Sequence, residues 1–174
     1  MAAVEFLIDG GDPAFCAPRE QTCCFTGHRS IPLDCYDRLK EETILRVKEL
    51  IARGYTHFIV GGALGFDTLA ARIILLMKES RPELCLTVAI PCPNQADGWS
   101  AESRARYQKI IEHADRAILL SHGYHRGCMM KRNRFMVDNS SACIAFLAKE
   151  SGGTVYTANY AKKCGVELIC VLSS

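Results

Sequence analysis

The sequence predicts a doubly wound α/β domain, in which a mostly parallel sheet carries helices on both faces. Six short apolar segments alternate with helical segments along the chain, and this alternation is typical of parallel strands joined by helical crossovers. The segment Leu84–Ile90 is apolar at nearly every position, as expected for a strand covered on both faces. We therefore expect a Rossmann-like sheet of about six or seven strands.

The elements follow from apolar spacing and from the turn residues between them. The predicted strands are Thr22–Thr26, Thr56–Val60, Leu84–Ile90, Arg116–Leu120, Ala142–Leu147 and Glu167–Leu172. The first predicted helix starts near Pro32 and Asp34 and ends at Gly54. The later predicted helices are Phe66–Ser80, Ser100–His113, Cys128–Asp138 and Val155–Lys163.

The chain of 174 residues is long enough for one domain with its own core. Residues 22–174 are predicted to form a single Rossmann-like nucleotide-binding domain. Residues 1–21 begin with the short apolar run Val4–Ile8 and continue into a Gly-Gly-Asp-Pro turn. This segment is expected to be either an N-terminal tail or an extra edge strand.

Composition limits the classes of function. Apolar residues make up 49% and charged residues 23% of the chain, which is ordinary for a globular protein. The formal charge of +2 does not by itself indicate nucleic acid. No apolar run approaches the roughly 18 residues that span a bilayer, and no Lys or Arg precedes Arg19 as a secretory signal requires. We expect a cytoplasmic protein with no membrane partner.

Ten cysteines are spread along the chain without a Cys-x-x-Cys pair. Cys23 and Cys24 are adjacent on a predicted strand, so their side chains point to opposite faces and cannot share a metal ion. We expect reduced and mostly buried cysteines, and no metal site.

A glycine-rich corner follows the second predicted strand. Gly61, Gly62 and Ala63 come directly after apolar residues and lead into a helix whose first turn carries Asp67. Glycine permits close approach of a ligand to the backbone, and a helix N-terminus attracts phosphate or carboxylate. The alternative is an ordinary strand–helix turn in which Asp67 only caps its own helix.

Other strand ends carry similar signals. They are Thr26-Gly27-His28-Arg29 after the first strand, Ser121 after the fourth, and Ser151-Gly152-Gly153-Thr154 after the fifth. If the sheet has the common order 3-2-1-4-5-6, the order reverses between the first and fourth strands, and these loops flank one crevice. Two glycine-pair helix starts at one crevice predict an elongated ligand that carries phosphate.

Charged residues near these loops have two interpretations each. Arg29 and Arg132 are predicted to neutralise phosphate, because guanidinium groups bind it through two parallel hydrogen bonds. Alternatively, Arg29 is an exposed loop arginine paired to an acid, and Arg132 belongs to a solvated helix face. Asp138 either pairs with neighbouring arginines or hydrogen-bonds a ribose. His28 is either an acid–base group or an exposed loop histidine.

Two nucleotide-binding signatures are missing. No Gly-x-x-x-x-Gly-Lys-[Ser/Thr] run occurs, which excludes a Walker-type nucleotidase. Val60 stands where a dinucleotide-binding loop has its first glycine, and no acid follows at the distance needed to hold a ribose. These departures argue against a dehydrogenase.

Four motifs together resemble the YpsA-like branch of the SLOG superfamily, which groups Rossmann-like proteins related to DprA and to the LOG phosphoribohydrolases. The motifs are Phe25-Thr-Gly-His-Arg29, Gly61-Gly-Ala-Leu-Gly-Phe-Asp67, Lys131-Arg-Asn-Arg-Phe-Met-Val-Asp138 and Ser151-Gly-Gly-Thr154. The similarity runs from about Thr22 to the C-terminus. By position it assigns ligand contacts to Gly27, Arg29, Gly61, Gly62, Asp67, Arg132, Asn133, Asp138, Gly152, Gly153 and Thr154.

The resemblance implies binding or sensing of a phosphorylated, nucleotide-derived ligand, such as ADP-ribose or NAD, at the carboxyl ends of the strands. It identifies no cofactor with certainty, and a nucleotide or an ADP-ribose-like molecule is the expected ligand. Together with the strand-end loops, the predicted ligand-binding residues are Thr26, Gly27, His28, Arg29, Gly61, Gly62, Ala63, Asp67, Ser121, Arg132, Asn133, Asp138, Gly152, Gly153 and Thr154.

Two further functions stay open. One is hydrolysis of an N-glycosidic or phosphate bond of a nucleotide, with Asp67 or Asp138 positioning water. The LOG enzymes carry a catalytic Glu soon after their Pro-Gly-Gly-x-Gly-Thr run, whereas here no acid follows Thr154 until Glu167.

The second open function is single-stranded nucleic-acid binding, as in DprA relatives. Near-neutral charge argues against it, and so does the small number of exposed-looking aromatic residues besides Trp99, Tyr107 and Tyr124. Analogy with such folds also suggests a homodimer.

Overall fold

One seven-stranded sheet organises the computed structural model, which describes residues 4–6 and 17–172. The strands are β1 (Val4–Phe6), β2 (Thr22–Gly27), β3 (His57–Val60), β4 (Cys85–Ile90), β5 (Arg116–Leu119), β6 (Ala142–Phe146) and β7 (Glu167–Val171). Their order is β1-β5-β4-β3-β2-β6-β7, and every neighbouring pair runs parallel. The predicted Rossmann-like α/β fold is confirmed.

Five α-helices connect the strands. They are α1 (Tyr36–Ala52), α2 (Phe66–Lys78), α3 (Ala101–His113), α4 (Cys128–Asp138) and α5 (Gly153–Lys163). Short 3-10 turns precede β2 at Arg19–Gln21 and α1 at Leu33–Cys35. Each helix lies within a few residues of its predicted range, because the apolar spacing that marks a helix in the sequence is the spacing that buries one face.

The sheet separates two apolar cores. Helices α1, α2 and α3 contribute to the core that contains Cys23 and Phe25. Helices α4 and α5 contribute to the core that contains Cys24. The neighbouring cysteines therefore lie on opposite faces, as strand geometry requires. The nine cysteines among the described residues are all free thiols.

The predicted strand order is wrong in one respect that changes the site. The order reverses between β2 and β6, which are the first and fifth predicted strands, whereas the prediction had it between the first and fourth. Helix α4 carries the chain from β5, on one side of the sheet, back to β6 beside β2. As a result β3 and β4 separate β5 from β2, and the loops after β2 and β6 are neighbours.

The N-terminal segment contributes β1, which pairs with β5 at the edge of the sheet in the register Val4 opposite Ala117. The rest of the predicted tail up to Cys16 (1–3 and 7–16) and the terminal 173–174 lie outside the described residues. Within the described part of the chain, no helix has both the length and the apolar character that a membrane span needs.

Candidate functional site

A cavity of about 380 Å³ opens where the strand order reverses, at the carboxyl ends of β2 and β6. This is the position at which open parallel sheets bind ligands, and the volume falls within the range of about 300–1,000 Å³ found for ligand pockets. The residues that line it are Phe25, Thr26, Gly27, His28, Arg29, Ser30, Ala63, Asp67, Met129, Arg132, Asn133, Met136, Lys149, Gly153 and Thr154.

The structure brings together ten of the fifteen residues predicted to bind ligand. Those that line the cavity are Thr26, Gly27, His28, Arg29, Ala63, Asp67, Arg132, Asn133, Gly153 and Thr154. The other five lie outside its lining and are Gly61, Gly62, Ser121, Asp138 and Gly152.

The carboxylate of Asp67 is turned back onto the glycine corner that precedes its helix. Its Oδ2 accepts hydrogen bonds from the backbone N–H groups of Gly61 at 3.0 Å and Ala63 at 3.3 Å. Asp67 is 5% exposed and lies in the first turn of α2, whose N-cap residue is Gly65. Asp67 thus occupies the hydrogen-bond donors of this corner as a bound anion would. Two N–H groups that were predicted to hold phosphate donate to Asp67 in the structure.

Arg132 reaches the same corner from α4. Its Nη1 donates to the carbonyl oxygen of Gly61, and its Nε donates to Oδ1 of Asn133 at 2.7 Å. A Cβ added at Gly61 would collide with the Arg132 guanidinium and lie 2.8 Å from Oδ2 of Asp67. A side chain at position 61 would therefore force the Arg132 guanidinium or the Asp67 carboxylate to move, because the two charged groups close on the Gly61 backbone from both sides.

Burial shapes the electrostatics of this pair. Arg132 is 6% exposed. Loss of solvent raises the pKa of Asp67 and lowers the pKa of Arg132, while the charge of each group opposes the shift of the other. Two oppositely charged groups on either side of Gly61 therefore stabilise each other's ionised form in a place where water does not.

The loop after β2 packs tightly against the start of α2. The carbonyl oxygen of His28 accepts from the N–H of Phe66 at 3.2 Å, and the N–H of His28 donates to the carbonyl of Phe146 at 3.4 Å. Gly65 has φ +73°, and a Cβ there would lie 2.6 Å from the His28 carbonyl oxygen. This loop carries Arg29, whose side chain is exposed at the mouth of the cavity.

The loop after β6 forms the opposite wall. The backbone N–H of Lys149 donates to Nε2 of His28 at 3.1 Å, so the imidazole is an acceptor at that nitrogen and joins the two loops. Helix α5 begins at Gly153, and Gly153 and Thr154 face the cavity. The positive end of the α5 dipole therefore adds to the side chains of Arg29 and Lys149.

Three predicted residues outside the cavity lining have structural partners elsewhere. The carboxylate of Asp138 accepts from the hydroxyl of Tyr160 at 2.8 Å, which ties α4 to α5. The hydroxyl of Ser121 lies 3.0 Å from Nε2 of His125, beyond the end of β5. Gly62 is held from another side, since its carbonyl oxygen accepts from Nε2 of Gln95 at 2.9 Å.

Five lining residues were not predicted, namely Phe25, Ser30, Met129, Met136 and Lys149. Helical spacing would have identified Met129 and Met136, which lie three residues before and four residues after Arg132 and so share its face of α4. Lys149 stands in an irregular loop, and no periodic pattern marks it.

Comparisons with known proteins identify relatives of the chain. The chain is 30% identical to the uncharacterized SPbeta prophage-derived protein YoqJ of Bacillus subtilis over 139 residues, which cover 72% of this chain and 81% of that protein. It is 25% identical to a UPF0398 protein of Staphylococcus saprophyticus, with 75% of this chain and 74% of that protein covered.

Two solved structures of DNA processing protein A share the fold. The Streptococcus pneumoniae protein superposes with a TM-score of 0.63 at 16% identity, over 89% of this chain and 51% of that one. The Helicobacter pylori protein, solved to describe its single-stranded DNA binding mode, superposes with a TM-score of 0.61 at 20% identity, over 87% of this chain and 65% of that one. The chain thus spans about half of the first protein and just under two thirds of the second.

A family model described as the YspA SLOG family, with the short name YpsA, matches residues 23–167. The match extends from β2 to the start of β7 and includes all four motifs that suggested the resemblance. The chain therefore belongs to the YpsA family of SLOG proteins.

Proposed function

We propose that this protein binds a phosphorylated, nucleotide-derived ligand in the cavity at the carboxyl ends of β2 and β6. The observation that carries the proposal is the charge around the cavity. Arg29, Arg132 and Lys149 line it, and Asp67 is the one carboxylate among the lining residues. Asp67 and Arg132 stabilise each other's ionised form, so the positive charge of Arg29 and Lys149 is available to an anion.

The arrangement suits a phosphate next to a less polar group. The start of α5 and the side chains of Arg29 and Lys149 supply donors and positive charge at one side. Met129 and Met136 of α4 supply an apolar wall on which a base or sugar can lie. ADP-ribose, NAD and nucleoside monophosphates contain both parts.

Calorimetric titration with ADP-ribose, NAD and AMP tests the proposal. Arg29→Ala should weaken binding roughly 10- to 100-fold, because a charge-assisted hydrogen bond contributes about 1.5–3 kcal/mol. Arg81→Ala is the matched control, since Arg81 is exposed between α2 and β4, at the amino end of β4, whereas the cavity lies at the carboxyl ends of the strands. The site assignment is wrong if Arg29→Ala binds as tightly as the wild type.

The hydrolase alternative depends on Asp67 alone, because Asp138 is outside the cavity lining and bonded to Tyr160. Its Oδ2 is held by two backbone donors, so its other oxygen, Oδ1, would have to orient the water. Incubation with a nucleotide panel, followed by chromatography for free base or ribose phosphate, tests this reading. Product formation that is equal in wild type and Asp67→Asn would remove it.

Single-stranded DNA binding is the second candidate, and the observation in its favour is the fold shared with the DNA processing protein A structures. The basic cavity would then hold one phosphate of the strand. Titration with a fluorescent dT oligonucleotide at several salt concentrations tests it. A strand that the protein binds through several phosphates should lose affinity steeply with salt, and the logarithm of the binding constant should fall against the logarithm of the salt concentration with a slope of about −0.7 per neutralised phosphate. A mononucleotide should show a shallow dependence.

A further inference from the structure

A second groove adjoins the cavity on the side of α2 and α3. It has a volume of about 360 Å³ and lies between the loop after β2, the start of α1 and the facing turns of α2 and α3. Its polar lining residues are Arg29, Thr68, Arg72, Ser103 and Arg106. Arg29 lines both spaces, so they meet at its side chain. We call this space the arginine groove.

The charge of the arginine groove has one sign. Three of its lining residues are arginines, and none of the lining residues is an acid. Arg106 forms an ion pair with Glu102, which lies one turn earlier on α3 and is 82% exposed. Arg29 and Arg72 are exposed at the groove. Clustered guanidinium groups repel one another until an anion neutralises them, so the groove attracts negative charge.

An apolar rim accompanies these arginines. Leu33 is 95% exposed at the 3-10 turn before α1, and it lines the groove together with Tyr36 and Leu64. A large apolar side chain beside guanidinium groups suits a ligand that is part phosphate and part sugar or base, because such a ligand can cover both surfaces.

We propose that the ligand carries phosphate at two separate positions of one nucleotide unit, the first in the cavity and the second in the arginine groove. Arg29 lies between them and contacts both, since a guanidinium has five donors in a planar fork. The proposal rests on the proposed nucleotide binding and names the class of nucleotide. Nucleoside 3′,5′-bisphosphates have this chemistry, and so does a short phosphodiester strand.

The test compares AMP, adenosine 3′,5′-bisphosphate and a two-residue 5′-phosphorylated deoxyadenosine oligonucleotide by calorimetry. The wild type should bind the bisphosphate about tenfold or more tightly than AMP, because the second phosphate gains charge-assisted hydrogen bonds. Arg72→Ala should remove that preference and leave AMP affinity unchanged, whereas Arg81→Ala should preserve it. An oligonucleotide that binds more tightly than the bisphosphate identifies the phosphodiester strand as the source, and the reverse order identifies the bisphosphate.

The results separate the two proposals. If AMP binds and depends on Arg29, but the wild type shows no preference for the bisphosphate, the groove proposal is wrong and the proposed function stands. The groove proposal is also wrong if Arg72→Ala keeps the full preference. If neither nucleotide nor oligonucleotide binds the wild type, both proposals fail. Circular dichroism and the melting temperature check that Arg72→Ala is folded, as expected for an exposed position on α2.

Discussion

Arg132 donates from Nη1 to the carbonyl oxygen of Gly61, and this bond joins helix α4 on one face of the sheet to the loop that begins α2 on the other. Asp67 accepts from the N–H of the same glycine. One residue without a side chain is thus held at both of its backbone polar groups by opposite charges.

Replacing Gly61 with Ala should destabilise the protein by about 1–3 kcal/mol, the usual cost of forcing extra volume into a packed site. The added methyl group collides with Arg132 and crowds Asp67. Urea unfolding followed by circular dichroism measures the change. Gly153→Ala is the control, because nothing lies within 4 Å of a Cβ built there. Equal stability losses in the two variants would contradict the role given to Gly61.

Asp67 should make the stability of the protein depend on pH in an unusual direction for a carboxylate. Its pKa is raised by burial above the ordinary value of 3.8, so the folded protein holds this proton at pH values where the unfolded chain has lost it. The stabilisation that Asp67 adds to the free energy of unfolding is therefore fully present below pH 3.8. It is lost as pH rises through the pKa of Asp67 in the folded protein, and above that pKa the free energy of unfolding no longer changes on account of Asp67.

The measurement is the difference in unfolding free energy between the wild type and Asp67→Asn, determined from about pH 3 upward. Asn cannot ionise but keeps an oxygen that accepts hydrogen bonds. We expect wild-type stability to fall relative to the variant as pH rises above 3.8. If the wild type instead became more stable than the variant over that pH range, Arg132 and the two N–H donors would lower the pKa of Asp67 by more than burial raises it.

His28→Phe should loosen the loop after β6. The substitution keeps an aromatic ring against Phe146, whose centroid lies 6.4 Å from that of His28, but removes the Nε2 acceptor for the Lys149 N–H. A neutral hydrogen bond contributes about 0.5–1.5 kcal/mol, so the Lys149 amide should exchange with solvent about 2- to 10-fold faster. Hydrogen exchange by NMR detects this change. His122→Phe, at an exposed position after β5, should leave the Lys149 amide unaffected.

Asp138→Ala should lower stability without altering ligand affinity. The variant loses the 2.8 Å bond from Tyr160, at a cost of about 0.5–1.5 kcal/mol. Because Asp138 does not line the cavity, AMP should bind within about twofold of wild type. Tyr160→Phe removes the same bond from the other side, and the double variant should be no less stable than either single one. A large loss of AMP affinity in Asp138→Ala would return this residue to the binding site.

The fold was predictable because helix and strand periodicities are local properties of the sequence. The nearly continuous apolar run that marks Leu84–Ile90 as a strand covered on both faces corresponds to β4, Cys85–Ile90. Strand order was not predictable in the same way, since no local pattern states whether the helix Cys128–Asp138 crosses one strand or several before β6 begins. Because the connection through α4 passes β4 and β3, Ser121 at the end of β5 lies away from the loops after β2 and β6.

The candidate site was predictable to a similar limit. Glycine pairs, Arg29 and Arg132 are visible as residue types that suit phosphate. The direction of a side chain is not visible, and Asp67 was predicted to cap its helix or to face a ligand. It lines the cavity, and its Oδ2 accepts from the N–H groups of Gly61 and Ala63, because a buried carboxylate is stable only where donors satisfy it.

The attachment of Gly61 on both sides has a consequence for how tightly a small molecule can be held. A loop that is already fixed in the free protein loses little conformational entropy when a ligand binds. Most of the conformational entropy lost on binding is then lost by the ligand. Free and occupied forms of the protein should accordingly have nearly superimposable backbones at this corner, and adaptation should be confined to exposed side chains such as Arg29.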